Sequence, residues 1–201
     1  MTSRPSLVNR RFTQTRREIV EAALSLFVDN GFDETTMSEI AESAGVSRRT
    51  IYRYFATKDD IVFESPREWL QIFNGVIETR REDESTRDVF LRALIEVGNH
   101  IQASRERVVR EFSVLVSSPS LQARHGRSDA EWVERYIELL APDVEGDPDG
   151  ELTATVAAMA LVAAQNALIA VWAAGSEDHH LAEMAVSAIG QLESVWPPGS
   201  R

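Results

Sequence analysis

Four residues between two short apolar stripes constrain this chain more than anything else in it. Met37, Ile40 and Ala41 recur with helical spacing, as do Ile51 and Phe55, and Ala44-Gly45-Val46-Ser47 stands between the two sets. Gly45 permits the positive φ of a sharp chain reversal, and Ser47 carries the hydroxyl that caps a helix amino terminus. Val46 plugs the angle between two helices joined by so short a turn. Thr36 followed by Glu39 reads as a capping box that opens the first helix of the pair. Two residues along a helix turn through roughly 200°, so Arg49 and Arg53 point away from the side that buries Ile51 and Phe55.

The remaining sequence is read with the same helical period. Ile19, Ala22, Ala23, Leu26 and Phe27 form one stripe that stops at Asn30-Gly31, and Thr57 with Asp60 caps a short helix after Phe55. Ser65-Pro66 predicts a break, with Ser65 and Glu68 as a fresh capping box. Stripes follow at Trp69 to Ile77, Phe90 to Ile101, Val108 to Val116 and Trp132 to Leu140, with Pro119 restarting the chain. Residues 141–150 form a loop by their proline, glycine and aspartate content. Two final helices are expected over about 151–174 and 178–196, the first apolar almost all round. No segment alternates as a half-buried strand does, so the fold class is all-α with about nine helices.

Charge is divided unevenly. The net charge of −11 argues against a nucleic-acid partner for the chain as a whole, yet residues 1–60 hold nine basic and nine acidic side chains and all the excess acid lies beyond them. The first seventeen residues carry five arginines and no acid, the footprint either of an arm that lies along phosphates or of a plain solvated tail. The absence of cysteine excludes disulfides and thiolate metal sites, and no apolar run of signal-peptide length opens the sequence; a cytoplasmic location is expected.

A pair of short helices fixed by a tight turn places the second in a DNA major groove while the first crosses the backbone. Thr35-Thr36-Met37-Ser38-Glu39-Ile40-Ala41, the turn Ala44 to Ser47, and Thr50-Ile51-Tyr52-Arg53-Tyr54-Phe55-Ala56-Thr57-Lys58-Asp59-Asp60-Ile61 together resemble the DNA-binding signature of the tetracycline-repressor (TetR) family nearly throughout. Composition reads residues 1–12 as a basic disordered arm, and the resemblance implies a three-helix helix-turn-helix domain over 13–63 with its motif at 36–55 and a ligand-binding and dimerisation domain over 64–201. Carried over by position, Arg48, Arg49, Thr50, Tyr52, Arg53 and Tyr54 face DNA from the helix capped by Ser47. Arg48 and Arg49 are best placed for guanine edges, while Thr36 and Lys58 are expected on phosphate. The family usually has glycine where this chain has Arg49, a long extra donor on the DNA-facing side.

One recognition helix reads only a few base pairs, so specificity calls for a two-fold dimer on a near-palindromic operator. The last two helices would supply the interface, with alanines allowing close approach and Leu161, Leu168, Trp172, Leu181 and Ile189 filling it. Family resemblance also implies an effector pocket among the C-terminal helices, whose occupancy releases the operator and so relieves repression. Its candidate lining is Trp69, Phe73, Phe90, Leu94, Ile101, Phe112, Trp132, Tyr136, Gln165 and Asn166, which favours a sizeable apolar ligand. The recognition-helix pattern is similar to a branch that responds to fatty acyl-coenzyme A, and Arg105, Arg107 and Arg110 are candidates for its phosphates.

Other classes find less support. The four histidines lack metal spacing, no phosphate loop or activated nucleophile is present, and no enzyme, cofactor or metal is expected. The acidic run Asp143 to Asp149 fails the calcium-loop pattern because Pro148 stands where glycine is required. Val156 to Ala174 is long enough to span a membrane, but Gln165 and Asn166 at its centre argue against that. A helical interaction module without specific DNA binding is the alternative; it would keep the dimer helices and have no need of Arg48, Arg49 or Lys58.

Overall fold

The computed structural model describes residues 7–176, 178–191 and 196. Ten α-helices and one 3₁₀ turn, with no strand among the described residues, follow each other in the order α1 (Leu7–Asn30), α2 (Met37–Ser43), α3 (Arg48–Tyr54), α4 (Lys58–Val62), α5 (Glu64–Ile77), α6 (Thr86–Ala103), α7 (Arg105–Ser117), α8 (Pro119–Leu140), the 3₁₀ turn Ala141–Val144, α9 (Gly150–Ala174) and α10 (Leu181–Gln191). They gather into two compact units, each described by itself. One takes the chain up to Glu64 and returns for Arg110–Ala123; the other takes Ser65–Val109 and the chain from Arg124.

The first unit closes on Ile19, Ala23, Leu24 and Phe27 of α1, Ile40 of α2, Ile51 of α3 and Ile61 of α4, all at most 2% exposed. Val114 and Leu121 join the same core from the ends of α7 and α8. Polar ties reinforce them, because Ser118 and Ser120 donate to the Asp33 carboxylate at 3.3 and 2.7 Å and Arg110 pairs with Glu21 of α1. Division of the chain is therefore not a single cut after residue 63: an apolar patch on the α7–α8 corner finds its partners in the earlier helices.

Two local expectations are corrected. Residues 7–12, read as part of a disordered arm, are helical from Leu7 onward, while residues 1–6 lie outside the described residues. The break near Ser65-Pro66 comes earlier, at Phe63, whose backbone (φ −90°, ψ 17°) ends α4. Pro66 then sits in the first turn of α5, where its missing N–H costs no helical bond, and Ser65 is wholly buried inside the helix instead of capping it.

The second unit is built around aromatic rings. Phe73 packs against Phe90, Trp132 and Tyr136 with ring centroids 5.3–5.7 Å apart in tilted and edge-on geometry, and Trp196 meets Phe90 at 5.1 Å. Helix α6 and α10 approach very closely at Gly98, where a Cβ would lie 3.0 Å from the Ala182 backbone. Between α5 and α6 the Glu84 carboxylate, 5% exposed, accepts from Arg92 Nε and Nη2 at 2.8 and 2.7 Å.

Candidate nucleic-acid interface and effector cavity

The turn between α2 and α3 is made as its residues require. Ala44 donates to Ile40 and Val46 to Ala41, both at 2.9 Å, and Gly45 takes φ +65°, the left-handed region open to glycine at little cost. Ser47 Oγ accepts from the Thr50 N–H at 3.0 Å and shares a hydrogen bond with the Thr50 hydroxyl, so α3 starts at Arg48 with a firm cap. With Ile51 and Phe55 buried, Arg48, Arg49, Tyr52 and Arg53 are left exposed on the far side. Tyr52 is 51% exposed between the arginines of this face. Thr50 and Tyr54 are half-buried at the edges of this face. Tyr54 stacks with Phe12 of α1 at 4.5 Å, and the Arg53 guanidinium lies 5.2 Å from the same ring.

Two residues expected on phosphate are engaged within the protein. Lys58 points its ammonium at three backbone carbonyls, Phe32 at 2.6 Å, Asp33 at 2.9 Å and Thr35 at 3.2 Å, with the Phe32 ring 4.4 Å away. Its three protons are thus placed, and it acts as a clasp on the loop that delivers Thr36. Thr36 itself caps α2, and the Glu39 carboxylate accepts from both its N–H and its hydroxyl at 2.8 Å, which holds that carboxyl below the usual range. A phosphate at this helix start would meet Glu39 already in place. Spacing along the sequence could not tell a lysine aimed outward from one folded back over a loop.

The arginine set suggested for a phosphate-bearing ligand also divides. Arg105 donates to the Trp172 and Gly175 carbonyls at 3.2 and 2.8 Å, capping the end of α9, and its guanidinium lies 4.5 Å from the Trp172 ring. Arg107 is 3.6 Å from Glu68, while Arg110 belongs to the other unit and pairs with Glu21.

A cavity of about 30 Å³ lies inside the second unit, lined by Trp69 of α5, Leu94, Val97, Gly98 and Ile101 of α6, Leu161, Gln165, Leu168 and Ile169 of α9, and Leu181, Ala185 and Ile189 of α10. Of the residues expected to line a pocket, Trp69, Leu94, Ile101 and Gln165 meet there. Phe73, Phe90, Trp132 and Tyr136 pack on each other as core beside it, Asn166 is half-buried outside the lining, and Phe112 belongs to the first unit. Tyr136 donates its hydroxyl to Gln165 Oε1, and burial pushes that phenol well above its ordinary pKa. The indole N–H of Trp69 is buried without an acceptor among the described residues.

Four aliphatic members of the lining, Leu161, Leu168, Leu181 and Ile189, were expected at a subunit interface instead. Leu161, Trp172, Leu181 and Ile189 are at most 4% exposed within the unit itself, which corrects that assignment, and Leu168 lines the cavity. Instead, α9 exposes Leu152, Val156, Met159, Ala163, Ala167 and Val171, spaced by threes and fours along one face, with Val186 exposed on α10. Nine residues turn a helix through roughly 180° net, which sets Leu152 and Leu161 on opposite sides. A helix apolar all round does not tell from sequence which side faces inward.

Comparison with known proteins agrees with this geometry. Residues 19–64 match the model of bacterial regulatory proteins of the tetR family, and residues 84–197 match the MftR C-terminal domain. The MftR protein of Mycobacterium tuberculosis, named as a mycofactocin biosynthesis transcriptional regulator, is 28% identical over 152 residues, 76% of this chain and 77% of that one. Among solved structures, the TetR-family repressor FadR of Thermus thermophilus in complex with lauroyl-CoA superposes with a TM-score of 0.61 at 22% identity, over 88% of this chain and 92% of that one. FadR of Bacillus subtilis in complex with stearoyl-CoA gives 0.60 at 17% identity, over 89% and 98%. With a TetR-type reading head at residues 19–64 and an MftR-type domain over more than half its length, the chain belongs to the TetR family of bacterial transcriptional regulators.

Proposed function

We propose that the protein is a cytoplasmic repressor that binds a near-palindromic operator as a homodimer and is released by a small apolar or acyl-CoA-like effector. The observation that carries the reading is the exposed face of α3, where Arg48, Arg49, Tyr52 and Arg53 stand on a helix held by a capped, glycine-hinged turn. Arg48 and Arg49, in the first turn, have the reach and the bidentate donors to read guanine in the major groove.

A second copy is the partner proposed for the apolar face of α9. That helix is long and apolar enough to cross a membrane, but Gln165 is tied to Tyr136 inside the unit, and the exposed stripe from Leu152 to Val171 suits another such helix. Two reading heads are also what a short recognition helix requires for useful specificity.

The cavity supports an apolar effector that carries a hydrogen-bond acceptor for Trp69 N–H. Its volume holds only a water molecule or two, so an acyl chain enters by prising α9 and α10 from α5 and α6. Such a ligand lowers operator affinity only to the extent that it binds the opened state better than the DNA-bound one. The solved relatives with lauroyl-CoA and stearoyl-CoA make long-chain acyl-CoA the first compounds to try.

The test is binding of the purified protein to DNA from its own promoter region at two salt concentrations, with Arg49→Ala alongside. Salt-sensitive protection of a palindrome is expected, weakened in Arg49→Ala by about 1–3 kcal/mol while the dimer persists. A folded dimer that protects no DNA at either salt concentration would favour the interaction-module reading.

A further inference from the structure

Phe12 is an odd residue for the outside of a DNA-reading unit, since it is 44% exposed yet its ring stacks on Tyr54 at 4.5 Å with only 28° between planes. Tyr54 is the last residue of the recognition helix, and Arg53 lies over the same ring. One turn further along α1, Arg16 donates to the Tyr54 carbonyl at 3.3 Å, lies 4.4 Å from the Phe55 ring and pairs with Glu64. Residues four apart share a helix face, so two successive turns of α1 rest on the carboxyl end of α3. These contacts set where the helix amino-terminal to Phe12 runs, beside the face that carries Arg53.

That stretch precedes the family match, which begins at residue 19. It belongs to a seventeen-residue run with five arginines and no acid, within a protein whose net charge is −11. Arg11 and Arg17 are exposed on α1 and Arg10 is part of the same helix. An acidic protein gains nothing from general attraction to DNA, so a concentrated basic segment held beside the recognition helix is where phosphate contacts would lie. We propose that the amino-terminal turns of α1 form a second DNA-contact element, in which Arg10 and Arg11 bind backbone phosphates and Phe12 is the positioning residue that holds them there through Tyr54. The inference rests on the DNA-binding reading above and adds a contact outside the helix-turn-helix.

Salt dependence tests it, because each phosphate contact adds about 0.9 to the slope of log affinity against log salt. Full-length wild type, R10Q/R11Q, F12A and F12Y are titrated, from 0.05 to 0.3 M salt, onto a duplex that the wild type selects from a random pool. The expected result for R10Q/R11Q is a slope smaller by roughly two and an affinity lower by about fivefold per lost contact near 0.15 M salt, with the same base pairs preferred. F12A should lose part of the same slope and F12Y should keep it. Unchanged slopes in R10Q/R11Q would overturn the proposal, and a drop in melting temperature for F12A with its slope intact would reduce Phe12 to packing. If F12A fails to fold, the R10Q/R11Q variant still decides the contact. A wild type that selects no duplex overturns the DNA-binding reading itself, an outcome distinct from a slope that does not move.

Discussion

At the scale of single residues, three side chains do work that spacing could not reveal. Trp69 was legible as apolar lining, but the state of its N–H becomes visible only once burial and the lack of an acceptor among the described residues are seen together. Trp69→Phe keeps most of the apolar area and removes the donor, so we expect effector affinity to fall by about 1 kcal/mol or more with operator binding unchanged, read by calorimetry against DNA titration. Glu84 is held at a pKa of about 2, chiefly by its hydrogen bonds from Arg92. Since that value lies below the unfolded one, its contribution to stability is complete above about pH 4.5 and is lost as pH falls from there toward 2. Glu84→Gln should therefore flatten the acid limb of melting temperature against pH in that window; an acid limb as steep as the wild type's would show that other carboxylates set it. Lys58 carries the third lesson. As a point charge near a motif it reads as a phosphate ligand, whereas three carbonyls converge on its ammonium.

Elements tell a different story, because their existence follows from local rules and their faces do not. Helices α2, α3 and α4 begin at Thr36, Ser47 and Thr57, the capping residues read from the sequence, since a cap is a contact between residues three apart. The close approach of α6 and α10 was invisible, for it depends on Gly98 meeting Ala182 across 84 positions. Gly98→Ala puts a methyl group 3.0 Å from backbone that cannot swing aside, and is expected to cost roughly 1–3 kcal/mol. A melting temperature within a degree of the wild type would mean that α10 yields more readily than its packing implies.

For the molecule as a whole, the proposed function calls for two copies and for a cavity that grows. The exposed stripe of α9 makes the dimer testable without touching the core, because Val156 and Met159 are each 58% exposed. Val156→Glu with Met159→Glu should yield a folded monomer in sedimentation at micromolar concentration, with operator affinity lowered by a factor of 100 or more as the second half-site is lost, on the order of 3 kcal/mol. A double variant that still sediments as a dimer would place the interface elsewhere. The return of Arg110–Ala123 to the DNA-reading unit also belongs to this scale, since Val114 and Leu121 are buried in a core built mainly by residues 19–63, far earlier in the chain.

Sequence by itself determined the all-α class, the caps of α2, α3 and α4, the turn at Gly45 and the outward arginines of α3, because each depends on neighbours within one or two helical turns. The pocket itself was only implied by family resemblance, and of its ten expected lining residues Trp69, Leu94, Ile101 and Gln165 line the cavity while the other six do not. Tertiary structure alone decided that Leu161, Leu181 and Ile189 face inward while Leu152, Val156 and Met159 face out, that Lys58 is a clasp, and that Phe12 rests on the recognition helix. The physical reason is common to all of these. A helix with apolar residues on every side, a long flexible cation and an exposed ring each have several places to go, and only the surfaces brought together by distant parts of the chain choose among them.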